Sequence, residues 1–428
     1  MARFLYGLLL VLLIPALIAR LLWRARKQPE YLQHLKERGG FYPVKPTSKR
    51  PLLWLHSVSV GESRAAQPLI KALHARFPEY DWLITCMTPT GRATALELYG
   101  QFATIAYLPY DFCGSQRRFL QNWQPTLGLL METEIWPNLL HQAQRLAIPI
   151  VLVNARLSQR SARGYQRIAA LARPAIASLA AIAAQTPEDA KRLALMGAKN
   201  ITVCGNLKFE VHPAPDKLQL GKQWKTTLQR PIWLAASTRE GEEALILSAY
   251  QQLQHPDVLL MMVPRHPQRF TEVAALIRSQ GLSLQHRSLG LPSESVQVWL
   301  GDSMGEMAAY FAAADFCVMG GSLLPFGSQN LIEACACGCP VLLGPSDFNF
   351  AQAAKDAIAS GAAWRINPSN NSNPHLSSAL SHAARTLIDN PEDLAQHRIA
   401  AQDFAAAHTG ATERTLKVLL GLQILGGI

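Results

Sequence analysis

The chain has 428 residues, 49% of them hydrophobic and 17% charged, with a formal net charge of +11. That length and balance exclude a disordered chain and predict two to three folded domains. Seven cysteines, an odd number set mostly beside apolar residues, read as small core residues of a reducing compartment rather than a disulfide framework. Cys335-Ala-Cys-Gly-Cys339 lacks the spacing of a zinc or redox site. The charge is uneven. Residues 1–220 hold 27 Lys and Arg against 13 Asp and Glu, a net +14, whereas residues 221–428 hold 14 against 17, a net −3. A basic first half points to an anionic partner or an anionic membrane surface. With no basic tail and no binding motif, nucleic acid is not the expected partner.

Phe4 to Ala19 is apolar, interrupted only by Gly7 and Pro15, and Arg20, Arg24, Arg26 and Lys27 follow. Basic residues stand where a signal peptide would place small ones, so residues 1–27 read as a retained membrane anchor. Leu21, Leu22 and Trp23 extend the run toward spanning length. Two readings stand, a spanning helix and a helix lying in the interface, and both leave the bulk of the chain cytoplasmic. Gln28 to Tyr42 is amphipathic, and Lys45 to Arg50 is a Pro- and Lys-containing linker. Apolar runs then alternate with helical stretches: Leu52–His56, Trp82–Met87, Thr104–Leu108, Leu127–Met131, Ile148–Asn154, Ala180–Ala184 and Ile201–Cys204. The pattern pauses over 206–230 and resumes with Ile232–Ala236, Val258–Val263, Val296–Leu300, Phe316–Met319 and Val341–Leu343. Closing helices fit Leu376–Asn390, Pro391–His408 and Thr412–Leu422. The fold class is α/β, two Rossmann-like domains facing across a cleft, with boundaries at 28–212, a linker 213–230 and 231–428.

Polar clusters fall at the strand ends, where open parallel sheets hold ligands. His56-Ser-Val-Ser-Val-Gly-Glu62 joins the first strand to a helix bearing Ala66, Leu69, Ile70, Leu73 and Phe77 on one face. Glu62 is either a carboxylate complementing the helix dipole or a catalytic group. Glu132-Thr-Glu134 before Trp136-Pro137 is either a cap cluster or a pair of carboxylates facing the cleft. Arg156 suits an anionic group, and Lys208 is a linker lysine or a cleft residue. In the second half, Ala236 to Gly241 offers N–H groups and hydroxyls to a phosphate. Arg265, fixed between prolines, either suits phosphate or carboxylate, with His266 lining the site, or stands in a solvated turn. Ser303-Met-Gly-Glu306 opens a helix. Glu333 sits three residues past Asn330, in capping-box spacing that also lets it hold a ribose hydroxyl. No Gly-x-Gly-x-x-Gly fingerprint, phosphate loop or Asp-x-Asp is present, which argues against a dinucleotide oxidoreductase, an ATPase and one common metal–sugar-nucleotide site.

His56 to Glu62, Met87-Thr-Pro-Thr-Gly91, Met131-Glu-Thr-Glu-Ile-Trp-Pro-Asn138 and Asn154-Ala-Arg-Leu-Ser158 resemble the 3-deoxy-D-manno-octulosonic acid (Kdo) transferases. Gly197 to Asn200, Asn206 to Phe209, Val263 to Pro267, Gly301 to Glu306 and Asn330 to Glu333 continue the likeness in order along nearly the whole chain. The resemblance implies a GT-B fold with an N-terminal acceptor domain and a C-terminal donor domain. It implies inverting, metal-independent transfer of Kdo from CMP-Kdo, a substrate rather than a cofactor, to the lipid A precursor. The expected place is the cytoplasmic face of the inner membrane of Gram-negative bacteria, on an anionic surface. Glu62 matches the family's proposed general base, and Glu132 and Lys208 match residues assigned to the transition state. Pro264, Arg265, Met304, Gly305, Glu306, Asn330, Leu331, Ile332 and Glu333 match donor-binding positions. Arg239 and Gln329 depart from the family pattern and carry no role. The alternatives are a UDP-sugar transferase on a lipid acceptor, a sugar-nucleotide epimerase and a membrane-anchored binding protein.

Overall fold

The computed structural model describes residues 1–42, 50–211, 213–366 and 373–425, with side chains omitted at 373 and 374. All but Arg50 of the Lys45–Arg50 linker lies outside the described residues. The chain divides into two compact units, the first comprising Met1–Glu210 and Thr409–Ile428, the second Val211–His408.

Among the described residues the first unit carries seven parallel strands: β1 Leu52–His56, β2 Asp81–Cys86, β3 Ala103–Tyr107, β4 Leu127–Met131, β5 Ile150–Ala155, β6 Ala181–Ala184 and β7 Ile201–Val203. Their order is β3-β2-β1-β4-β5-β6-β7. Apolar runs form these strands because both sheet faces are covered. Leu53 and Leu55 enter one core with Ile84, Leu129 and Val151. Leu52 and Trp54, pointing the other way, enter a second with Leu83, Leu130 and Leu152. Gly128 is required there, since a Cβ would lie 2.7 Å from the Trp54 ring and 2.5 Å from Ile150. The order reverses direction between β1 and β4, which makes their carboxyl ends the switch point where such sheets bind ligands.

The second unit repeats the plan with β8 Ile232–Thr238, β9 Leu259–Pro264, β10 Leu284–His286, β11 Val298–Leu300, β12 Phe316–Met319, β13 Val341–Leu343 and β14 Ala363–Arg365. Their order is β10-β11-β9-β8-β12-β13-β14, again parallel throughout, with the switch point between β8 and β12. Trp233, Leu260, Met262, Val318 and Leu342 fill a core on one face.

The domain boundaries drawn from the sequence need two corrections. Most of the stretch 213–230 is a helix, Pro215–Leu228, belonging to the second unit. Its buried Trp224 packs edge-on against Trp299 at 5.0 Å, and Gly221 lies against the backbone of Ala309. The closing helix Ala411–Gly421 returns to the first unit, burying Ala411, Leu416 and Leu419 in the core that holds Leu53 and Leu55. Glu210 fixes its start by accepting the N–H groups of Gly410 and Thr412.

The N-terminal apolar run is also not one helix. It forms α1, Ala2–Leu12, and α2, Ile14–Ala25, bent by 49° at Leu13. Pro15 stands in the first turn of α2, where its missing N–H costs nothing. Among the described residues no single helix is long and apolar enough to cross a membrane, although this bent pair passes that test together. The amphipathic stretch 28–42 reduces to a 3-10 turn, Pro29–Leu32, and one helical turn, Leu35–Arg38.

Candidate functional site

The first unit assembles polar side chains at the carboxyl ends of β1, β4 and β7. After β1, Ser59 caps the short helix Val60–Ala65, accepting the Glu62 N–H at 3.4 Å. The Glu62 carboxylate turns back to receive the Val58 N–H at 2.8 Å and the Ser59 hydroxyl at 2.8 Å. This is close to a capping box, with the carboxylate reaching the N–H one residue before the cap rather than the cap's own, so Glu62 does serve the helix end. Burial raises the carboxyl to about 7 despite those two hydrogen bonds, and the nearby charges of Glu132 and Glu134 push it further up. A carboxyl raised in this way can also exchange a proton near neutral pH.

Glu132 follows β4 with φ +57, a left-handed conformation rare away from glycine and common where a site imposes it. Its carboxylate meets Lys208 Nζ at 2.6 Å. Lys208 comes from the turn Leu207–Phe209, held in place by Asn154, whose side-chain oxygen accepts the Leu207 N–H at 2.9 Å. Asn154, at the end of β5, has φ +52 and is fully enclosed. Three separated sequence positions, Glu62, Glu132 and Lys208, therefore share one site. Glu134 joins them, its carboxylate taking the Trp136 indole N–H at 2.5 Å. Trp136 packs edge-on against His56 at 5.9 Å. Burial lowers His56 to about 3, so it stays neutral there. Arg156 is exposed, and its backbone N–H reaches the Glu132 carbonyl at 3.4 Å.

In the second unit, Asn330 caps the helix Leu331–Ala336 and donates to Glu333 at 3.1 Å, as its spacing predicts. The surrounding protein raises the Glu333 carboxyl, opposed by the Asn330 amide and then by the charge of Arg265. Arg265 after β9 and Glu333 after β12 are thus neighbours, with Leu331 and Ile332 buried behind them. Pro264 ends β9. Met304 and Gly305 are exposed, and the helix there starts later than the sequence indicated, at Met307. Glu306 is engaged by Arg287 at 3.1 Å and by the Ser303 hydroxyl, which gives it a loop-fixing role. Arg239 stacks on Phe326 at 4.8 Å, with His266 beside it at 3.4 Å.

The loop Ser237–Gly241 is not the open phosphate receiver the sequence suggested. The Thr238 hydroxyl goes to Glu243 at 2.6 Å and the Arg239 N–H to Glu242 at 2.9 Å. Glu242, fully buried, also accepts the N–H groups of Gly321, Leu323 and Leu324, and so clamps the chain leading to Asn330. Gly320 is needed where that chain passes Ser237, because a Cβ would stand 2.1 Å from its carbonyl oxygen. Glu242 was not singled out from the sequence. Five cysteines are buried as expected, but Cys113 is exposed.

Fold and site define a two-unit, doubly wound α/β protein with a carboxylate-rich site on its first sheet. Residues 33–211 match the family model described as 3-deoxy-D-manno-octulosonic-acid transferase (kdotransferase). The chain is 43% identical to the 3-deoxy-D-manno-octulosonic acid transferase of Bordetella pertussis, covering 98% of this chain and 99% of that one. It is 35% identical to the protein of the same name from Haemophilus influenzae, covering 98% of each. The chain belongs to the 3-deoxy-D-manno-octulosonic acid transferase family. In fold it is also similar to a solved UDP-GlcNAc 2-epimerase from Neisseria meningitidis, with a TM-score of 0.54, 14% identity, and 87% of this chain and 100% of that chain covered.

Proposed function

We propose that this protein transfers Kdo from CMP-Kdo to the lipid A precursor in lipopolysaccharide core biosynthesis, with inversion at the anomeric carbon and no metal or cofactor. The family membership, at 43% identity over nearly the whole chain, carries the reading. On the GT-B reading, the first unit takes the acceptor and the second takes CMP-Kdo through Pro264, Arg265, Met304 to Glu306 and Asn330 to Glu333. We place it on the cytoplasmic side of the inner membrane.

Glu62 is the general base. Near neutral pH a carboxyl raised to about 7 is partly ionised yet basic enough to take a proton. It removes the proton of an acceptor hydroxyl as that oxygen bonds to the anomeric carbon of Kdo. The bond from that carbon to the CMP phosphate breaks, and CMP leaves with the electron pair. Lys208 supplies positive charge to the departing phosphate, and Glu132 holds Lys208 and balances the oxocarbenium-like centre.

The test is purified full-length protein with CMP-Kdo and the acceptor lipid, products resolved by mass. One CMP released for each Kdo gained by the lipid is expected, with the rate unchanged by a chelator. The fold likeness to an epimerase makes the lipid-free arm informative. Sugar-nucleotide turnover without lipid, transfer from UDP-sugars instead, or binding of CMP-Kdo with no CMP release would each overturn the assignment. Rate loss on chelation, restored by a divalent cation, would overturn its metal-independent part.

A further inference from the structure

The bent pair α1–α2 has two unlike sides. Ala2, Tyr6 and Leu10, spaced four apart, are half-buried, and α1 packs on the helices Pro137–Arg145 and Ala169–Ala177 of the first unit. On the outer side Phe4 (75% exposed), Leu8 (48%), Leu12 (69%), Ile18 (53%), Leu22 (53%) and Trp23 (59%) face away from protein. Residues 1–27 contain no Asp or Glu, and Arg20, Arg24, Arg26 and Lys27 follow the apolar run. Outer apolar surface beside clustered cations fits one occupant, a bilayer with an anionic surface.

How the pair meets that bilayer is decided by Tyr6. Its hydroxyl donates to Asp111 at 3.1 Å, and Asp111 is 6% exposed. The same carboxylate accepts the Asn138 N–H at 3.0 Å and the Leu139 N–H at 2.9 Å, so it belongs to the folded unit. A spanning α1 would carry Tyr6 into the hydrocarbon and away from Asp111. Each helix alone is also short, roughly 16–18 Å against the ~30 Å of a hydrocarbon core. We infer that α1 and α2 both lie within the one leaflet nearest the folded unit, so that α1 stays on the same side of the membrane as the catalytic residues. This rests on the membrane attachment proposed above, but not on the identity of the sugar.

Asp111 also caps the helix that begins at Pro137, directly after Glu132 to Trp136. The leaflet-bound helix and the candidate catalytic loop are therefore tied to one carboxylate.

The test uses the full chain with a protease-cleavable epitope ahead of Ala2, in inverted inner-membrane vesicles and in spheroplasts. Cleavage in inverted vesicles with protection in spheroplasts is expected, and the reverse overturns the one-leaflet placement while leaving attachment intact. Recovery of the protein in the soluble fraction overturns both. Separately, Leu8→Glu/Ile18→Glu is expected to weaken binding to vesicles of phosphatidylethanolamine and phosphatidylglycerol by ~10-fold or more. Unchanged vesicle binding, or a wild-type chain that dimerises through this face and ignores vesicles, overturns the lipid as occupant.

Discussion

Glu62 is held by two hydrogen bonds and yet kept partly from water, and the second effect outweighs the first, since its carboxyl rises from 4.5 to about 7. Glu62→Gln is expected to keep the fold and lose roughly 10²-fold or more in turnover. Wild-type kcat/KM is expected to fall below about pH 7 as this carboxylate takes up its proton, and a rate flat from pH 5 to 8 would contradict the assignment. Stability has the opposite sign. A raised carboxyl contributes fully below about 4.5 and loses that contribution as pH rises through about 7. Glu62→Gln should therefore gain, relative to wild type, on the order of 1–2 kcal/mol more at pH 8 than at pH 4 after allowance for partial exposure. Thermal melts at the two pH values check it. At this scale Glu62, Glu132 and Lys208 were legible as polar residues that follow strands of the first sheet, which is what brings them together. Glu242 and Asp111 were not: a second glutamate in Glu240-Gly-Glu-Glu243 looks like dipole compensation, and nothing local to Asp111 announces the helix it caps 26 residues later.

Strands were the readable elements, since continuous burial on both faces writes itself as runs of Leu, Ile and Val. β1, β4, β12 and β13 have the bounds their sequences indicate. The three-residue edge strands β10 and β14 were missed because Leu284-Gln-His286 and Ala363-Trp-Arg365 are too short and too polar to show as apolar runs. The helix Pro215–Leu228 was read as linker for a related reason, that only Gly221 and Trp224 in it are buried. The closing helix was read correctly as a helix and assigned to the wrong unit, because which core a helix joins depends on contacts some 200 residues apart, such as Glu210 with Thr412. Leu419→Ala tests that assignment. Leu419 is fully enclosed in the first unit's core, and the truncation is expected to cost about 2–5 kcal/mol. Hydrogen exchange should then quicken in β1 and β2 while β8 and β9 keep their protection. Loss of protection in β8 instead would return the helix to the second unit.

The division of the chain sharpens the charge asymmetry at the scale of the whole molecule. The first unit, with its returning helix, holds 28 Lys and Arg against 13 Asp and Glu, a net +15, and the second holds 13 against 17, a net −4. On the proposed function, a phosphorylated lipid in an anionic leaflet would be attracted by the field of an entire unit. On the same function, a nucleotide sugar approaching the other unit would meet net negative charge and would be held by placed groups such as Arg265 and the capped helix at Asn330. These two modes respond differently to salt, because diffuse attraction over distances beyond a Debye length is screened while close, partly enclosed contacts are not. Raising ionic strength from about 0.05 to about 0.5 M shortens that length from roughly 14 to roughly 4 Å. The KM for the lipid acceptor is expected to rise several-fold over that range, with the KM for CMP-Kdo moving less. Equal shifts in the two constants would mean that the basic first unit does not act as a long-range attractor, and that its charge serves the membrane surface alone.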